Sequence, residues 1–329
     1  MANSPGIGTR ARGRIDAESV RRSLAEKPAA FILACNAAYE NTVNALARRI
    51  AQTNPRPRLI MLSGPSASGK TTTSIKLQLA LQRLGVGAVS LSMDDFFKDR
   101  SAIPVLPDGS RAFEALEALD TAALSERLGE LVEKGRAQLP LFDFLRGVRA
   151  EKTRAVELAP GDVAVVEGLH ALDPQVTGLF PAQRLFQLYV SVSSDFADEN
   201  GEVLLGARDI RLIRRAVRDS RFRGHDAEST FSQWDTVCRG EDLYVRPYKR
   251  QADAAVNTVF PCEPALFRRQ ALRLFAAARG GRFAERAQRL TERLRFFPPM
   301  AVSLLPADCV LREFLGGSSY YTRSGNRRG

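Results

Sequence analysis

Only four cysteines occur in 329 residues, and no two of them make a C-x-x-C pair. Cys35, Cys238, Cys262 and Cys309 stand far apart, and neither His170 nor His225 falls in a ligand spacing with them. Neither a zinc site nor a disulfide framework is expected. Free thiols fit a reducing compartment. No apolar run reaches 18 residues, so no transmembrane helix is expected. Met1 to Arg14 holds Gly, Pro and Arg without an apolar stretch, so no signal peptide is expected, and a cytoplasmic location is. An N-K-x-D motif is missing, which argues against a GTPase. An L-S-G-G-Q-like signature is missing too, which argues against a transporter ATPase. The chain has no internal repeat and no low-complexity tract.

Hydrophobic residues make up 44% of the chain and charged residues 26%, a globular profile with ample core. The formal net charge is +11, carried mostly by Arg. Nucleic acid, a membrane surface and phosphorylated small molecules all suit that sign, and a solvated basic surface needs no partner at all.

Residues 1–14 read as disordered, and 16–26 and 29–52 as helices with Asp16 and Pro28 as start signals. After a Pro-containing connector, 54–58, short apolar runs suggest strands at 59–63, 88–92, 162–166, 186–192 and 254–259. Helical spacing lies between them at 70–84, 111–134 and 208–222, and again at 263–278 and 281–296. Residues 317–329 read as loose. Strand alternating with helix predicts an α/β fold, a three-layer α/β/α sandwich on a mostly parallel sheet.

Gly64-Pro65-Ser66-Ala67-Ser68-Gly69-Lys70-Thr71 matches G-x-x-x-x-G-K-[ST] at every fixed position, and Thr72 continues it. This is the P-loop, or Walker A, pattern. Its glycines let backbone N–H groups turn onto phosphates, Lys70 supplies a point charge near the β and γ groups, and the Thr71 hydroxyl suits Mg²⁺. A strand before it and a helix after it are the context the mechanism needs, and the helix adds its positive end. ATP with Mg²⁺ is the expected ligand.

A P-loop needs acidic partners for the metal and the chemistry. Glu167 ends the apolar run Val163 to Val166, at the carboxyl edge where open α/β sheets bind ligands. Asp94 and Asp95 follow the 88–92 strand at the same edge, and neighbouring side chains there point opposite ways. One of them is placed to take a proton from an attacking hydroxyl. The plain alternatives are a surface Glu and a turn that merely uses Asp. Arg211, Arg214 and Arg218 recur at i, i+3 and i+7, one face of a helix. Such a row suits a transferring phosphoryl group, an RNA backbone, or solvent.

Taken together, residues 58–260 resemble the uridine kinase and phosphoribulokinase family of P-loop kinases. Six segments carry the resemblance: GPSASGKTT at 64–72, SMDDFF at 92–97, PLFDFLRGVR at 140–149, VVEGLHAL at 165–172, DIRLIRRAVRDSRFRG at 209–224 and PYKRQADAAVN at 247–257. Outside them, LREFLGG at 311–317 and the N-terminal helix resemble a bacterial branch of nucleoside kinases. The resemblance implies a kinase domain over 58–260 with a lid near 208–224, an N-terminal helical extension over 15–57, and a C-terminal extension and tail over 261–329. It makes Asp94 the catalytic carboxylate and places Glu114 on a ribose. It makes Arg211, Arg214 and Arg218 lid arginines over the phosphates. Arg149 matches the Arg that closes the family's Y-D-F-x-x-H-x-R segment, and Gln233 a substrate-contacting Gln. At the Tyr and His of that segment this chain has Phe142 and Gly147. An aromatic face is kept for stacking and the imidazole is lost, which weakens base discrimination.

The implied activity is ATP-dependent phosphorylation of a small-molecule hydroxyl, with a nucleoside the favoured acceptor. A sugar phosphate or pantothenate is the alternative within the fold. A protein that binds RNA or a partner with ATP as a switch is the alternative of another class, suggested by the net charge and by Arg10, Arg12, Arg14, Arg323, Arg327 and Arg328. No membrane partner is expected, and a homo-oligomer stays open.

Overall fold

The computed structural model describes residues 12–105, 111–144, 146–278 and 280–321. Strand β1 (Gly13–Asp16) opens it and runs straight into helix α1 (Ala17–Glu26). Asp16 is the N-cap, its carboxylate accepting the Glu18 and Ser19 N–H groups. Residues 13 and 14, expected to be disordered, are strand, because residues 13–16 pair in parallel with residues 194–197; residues 1–11 of that expectation lie outside the described residues. Pro28 at the first helical position starts α2 (Pro28–Gln52).

Strand β2 (Leu59–Ser63), helix α3 (Lys70–Arg83) and strand β3 (Ala88–Ser92) form the first strand–loop–helix unit. A single 3₁₀ turn, Met93–Phe96, follows β3. The helix expected over 111–134 begins only at α4 (Thr121–Lys134). Asp120 accepts the Ala123 N–H at 2.9 Å and caps a fresh start, while one 3₁₀ turn upstream carries Leu116 into the core. Two small antiparallel pairs come next, made by β4 (Arg136–Leu139), β5 (Phe142–Asp143), β6 (Val148–Arg149) and β7 (Arg154–Glu157); β4 pairs with β7 and β5 with β6. Strand β8 (Val163–Glu167), the short α5 (Pro174–Thr177) and β9 (Leu185–Ser191) return the chain to the main sheet. Strands β10 (Ser194–Ala197) and β11 (Val203–Leu205) join β1 in a three-stranded sheet. Helices α6 (Ala207–Phe222) and α7 (Ala227–Tyr244) precede β12 (Ala254–Asn257), and α8 (Glu263–Ala277), α9 (Ala284–Arg295) and α10 (Arg312–Leu315) complete the order.

The main sheet has the order β12-β9-β2-β8-β3, all parallel. Its strands are continuous apolar runs because both faces are covered. Alternation along β2 shows it: Ile60 and Leu62 enter one core with α2, α3, α6 and α8, and Leu59 and Met61 enter the other with α4. The first core also takes in segments before and after the main sheet, from Val20 and Tyr39 to Val310 and Phe314. Tyr39 stacks on Phe260 at 5.4 Å and shares a 2.8 Å hydrogen bond with Thr73. All four cysteines are free thiols. Among the described residues no helix is long and apolar enough to cross a membrane.

Candidate active site

The loop between β2 and α3 is shaped by two close constraints. A Cβ at Gly64 would stand 1.9 Å from the Val190 carbonyl oxygen, so only glycine lets the loop leave the sheet there. Gly69 has φ +86° and serves as N-cap of α3 without any side-chain cap. Ala67 has φ +59°, a left-handed conformation that costs a non-glycine residue about 1–2 kcal/mol. Such a residue curls successive N–H groups toward a common centre, the nest that binds anions. Strain at this point is expected of a ligand cradle rather than of a plain turn. Lys70 Nζ donates to the Pro65 carbonyl at 3.2 Å, across the mouth of the loop.

Three arginines of α6 hold the loop's backbone and side chains. Arg211 donates to the Ser66 carbonyl at 3.1 Å, is ion-paired with Glu241, and lies 5.5 Å over the Trp234 ring. Arg214, fully buried, donates to Glu263 at 2.6 and 3.0 Å, to the Thr258 carbonyl at 2.6 Å and to the Ala67 carbonyl at 3.4 Å. Arg215 donates to Ser66 Oγ at 2.9 Å and to Gln233 Oε1 at 3.2 Å. Arg211 and Arg214 thus grip the cradle from the protein interior, since the apolar residues between them, Leu212 and Ile213, carry α6 into the core. Arg215, Arg218 and Arg223 instead gather around the buried Asp219, which pairs with all three. The crowding is strong: Arg218's charge, with burial, lowers Arg223 to about 10.

The Arg214–Glu263 pair is a stability element with a measurable signature. Arg214→Met leaves a buried carboxylate without its partner and should cost about 3–5 kcal/mol in urea unfolding. Adding Glu263→Met should recover most of that loss, since a buried pair replaced by apolar side chains is often neutral.

The carboxylates collect at the same sheet edge. Glu167, the last residue of β8, accepts from Thr71 Oγ1 at 3.2 Å and from Ser92 Oγ at 3.1 Å. Asp94 sits in the 3₁₀ turn after β3, which Ser92 caps by accepting the Asp94 N–H at 3.3 Å. Burial pushes the Asp94 carboxyl up to about 7; Glu167, Asp95 and Glu114 add to the rise and Lys70 opposes it. Glu114 is also pushed up by burial, against the charges of Arg215 and Lys70. Its Cβ is pressed close to Gly240 of α7, where a side chain would clash at 2.8 Å. Asp94, Glu114, Glu167, Lys70 and Thr71 are therefore brought together.

A chain of phenyl rings rims this edge. Phe97 stands three residues after Asp94, and its ring lies 6.3 Å from Phe113 and 5.8 Å from Phe142, which lies 5.2 Å from Phe144. Phe113 and Phe144 are 41% and 57% exposed, unusual for such side chains unless something covers them. Gly147 has φ +70°, and Arg100 fills the space a side chain there would take, 2.7 Å from its Cβ position. Gln233 reaches the site through Arg215. Arg149 stands apart: its guanidinium pairs with Asp120 at 3.0 Å, and among the described residues nothing joins it to the loop.

Sequence reasoning passed over Arg215, Asp219 and Glu263. Arg215 had a signal, since it is four residues after Arg211 and shares its face. The two acids carried none, because only the fold brings them to the arginines.

A loop turned by Gly64, Ala67 and Gly69, a lysine at its mouth and acids across from it suit the movement of a phosphoryl group between oxygens. That is the arrangement of P-loop phosphotransferases as a class. The family model described as "Phosphoribulokinase / Uridine kinase family" matches residues 59–263, and the chain belongs to that family. It is a phosphotransferase with an alcohol acceptor. Relatives include a uridine kinase of Clostridium botulinum (strain 657 / Type Ba4), 30% identical over 203 residues, which cover 61% of this chain and 88% of that one. A uridine kinase of Limosilactobacillus reuteri (strain DSM 20016) is 31% identical over 206 residues, 62% and 85% of the two chains. Among solved structures, D-glycerate 3-kinase from Cryptococcus neoformans var. grubii is similar at 17% identity and a TM-score of 0.42, covering 67% of this chain and 88% of that one.

Proposed function

We propose that the chain transfers the γ-phosphate of ATP to a hydroxyl of a nucleoside. The observation that carries this reading is the phenyl chain beside Asp94 and Glu114. An aromatic base finds stacking partners there, and the ribose of the same molecule then lies against the two acids. The relatives named uridine kinase support the same class. With Phe142 and Gly147 in place of a Tyr and a His, the base is held by its face more than by its edge. Broad tolerance among nucleoside bases follows.

In this reading the nucleotide's phosphates lie along Gly64, Ser66, Ala67, Ser68, Gly69, Lys70, Thr71 and Thr72. The Thr71 hydroxyl and the Glu167 carboxylate, 3.2 Å apart, fit Mg²⁺, which takes one or two protein oxygens and completes its shell with phosphate and water. Bound there, the ion would neutralise charge on the phosphate oxygens. Asp94 takes the proton of the attacking hydroxyl, and Glu114 orients that hydroxyl's sugar. Lys70, Arg215, Arg218 and Arg223 offset the negative charge that spreads over the transferring group. Arg211 and Arg214 act one step back, by holding the Ser66 and Ala67 carbonyls so that the loop keeps its shape. Gln233 sets Arg215, and Arg149 supports the hairpin that carries Phe142.

The test is a coupled ADP-release assay across nucleosides, pantothenate and pentose phosphates. Stimulation by several nucleosides and by none of the others is expected. Stimulation by a pentose phosphate alone would move the acceptor to the sugar phosphates, and RNA binding without any acceptor stimulation would favour the switch reading.

The pH profile follows from Asp94. A base must be unprotonated to act, and this carboxyl holds its proton up to about pH 7. The kcat/KM for the acceptor should fall about tenfold per pH unit below that point and level off above it. A profile flat down to pH 5 would remove Asp94 as the base.

A further inference from the structure

Helix α3 starts without a side-chain cap, and the amides of its first turn are what a phosphate would take. The Thr73 N–H is used by the Gly69 carbonyl at 3.0 Å. The Thr72 N–H is used too, by an unexpected partner 241 residues away. Glu313 Oε2 accepts from Thr72 N at 3.2 Å and from Thr72 Oγ1 at 2.6 Å. The Tyr321 hydroxyl lies 3.0 Å from the same Oγ1.

The segment carrying Glu313 is firmly seated on the loop–helix junction. Val310 packs on Gly69 so closely that a Cβ there would stand 2.8 Å from its Cγ1. The Phe314 ring lies 5.2 Å beneath the Arg214 guanidinium. The buried Lys76 of α3 pairs with Asp308 at 3.1 Å and lies 5.7 Å over the Tyr320 ring. Arg312 ties the segment's own turns through the Leu305 carbonyl at 2.6 Å and the Pro306 and Gly316 carbonyls at 3.3 Å.

A carboxylate on an N-terminal helix amide is chemically what a phosphate would be there: an anion taking the same donor and the same positive end of the dipole. We propose that Glu313 is a built-in competitor for the nucleotide, its carboxylate holding the Thr72 donors until a nucleotide phosphate displaces it. The inference rests on the reading of residues 64–72 as the nucleotide site. The side chain that fills the place also sets the affinity: the nucleotide must separate Glu313 from Thr72, and two anions cannot share one amide. Adenosine, which brings no phosphate to the amide, meets no such opposition.

Glu313→Gln tests this, because it keeps shape and an acceptor oxygen while removing the charge. By calorimetry its ADP dissociation constant should fall about tenfold, with adenosine unchanged. Glu313→Ala should tighten ADP in the same direction. ADP binding unchanged or weaker in both variants overturns the proposal. If thermal melts show the variants unfolded, the wild-type chain decides by hydrogen exchange. Adding ADP should speed exchange over residues 313–321, which lose their hold on Thr72, and slower or unaltered exchange overturns the proposal. Wild-type chain that binds ADP, with Lys70→Ala that does not, keeps the nucleotide site even if Glu313 proves passive. Wild-type chain that binds no ADP sinks both.

Discussion

Lys70→Ala should abolish phosphoryl transfer, with a loss of more than ~10³-fold in kcat/KM for ATP. The reason is local electrostatics. Asp94, Glu114 and Glu167 bring three carboxyl groups to one edge; Lys70 opposes the rise that burial and the neighbouring acids impose on Asp94, and with Arg215 it opposes the rise that burial imposes on Glu114. Without it, an incoming triphosphate meets acids across the cradle and no ammonium at its mouth. Binding and rate should fall together, which separates this variant from one that removes only a proton acceptor. Calorimetry with ATP and a coupled assay measure the two effects. Near-normal turnover in a folded variant would mean that the phosphates do not lie along residues 64–72.

Asp94→Asn should behave differently. The amide keeps the size of the carboxyl and relieves some of the negative charge near the phosphates, so ATP binding should hold or improve. Turnover should fall by at least ~10²-fold, because an amide cannot accept the hydroxyl proton. The rate that remains should no longer rise with pH through about 7, since the titrating group has gone. A fully active Asp94→Asn would pass the base role to another carboxyl, and Glu114 is the neighbour in reach.

The main sheet was legible in the sequence because its strands are buried on both sides. Runs such as 59–63 and 163–167 carry no polar residue until the last position, and the Pro160-Gly161 turn sets where β8 can begin. Strand β1 was not legible. Gly13 to Asp16 is short and mostly polar, and it becomes a strand only because residues 194–197 stand beside it. Helix α7 was missed for a related reason. Its sequence alternates small, polar and aromatic residues, and Phe231, Trp234 and Val237 mark its inner face only once α6 and α8 are in place. At the site, spacing found the arginines of α6 but not their division of labour. Residues 211, 214, 215 and 218 all lie within one broad stripe. Which guanidinium is sunk into the core and which is turned toward the acids depends on Glu241, Glu263 and Asp219, and no local pattern announces those partners.

The shared apolar interior described above reaches past this division. Tyr39, from the helix before the sheet, hydrogen-bonds the first turn after the P-loop, and Val310 and Phe314, from the far end of the chain, lie under the same turn and its arginine. The loop that would cradle the triphosphate is therefore buttressed by a helix before the sheet and by a segment well after it. Cutting the chain back to residues 59–263, the stretch that matches the family, would take the Tyr39 hydroxyl from Thr73 and Val310 from Gly69.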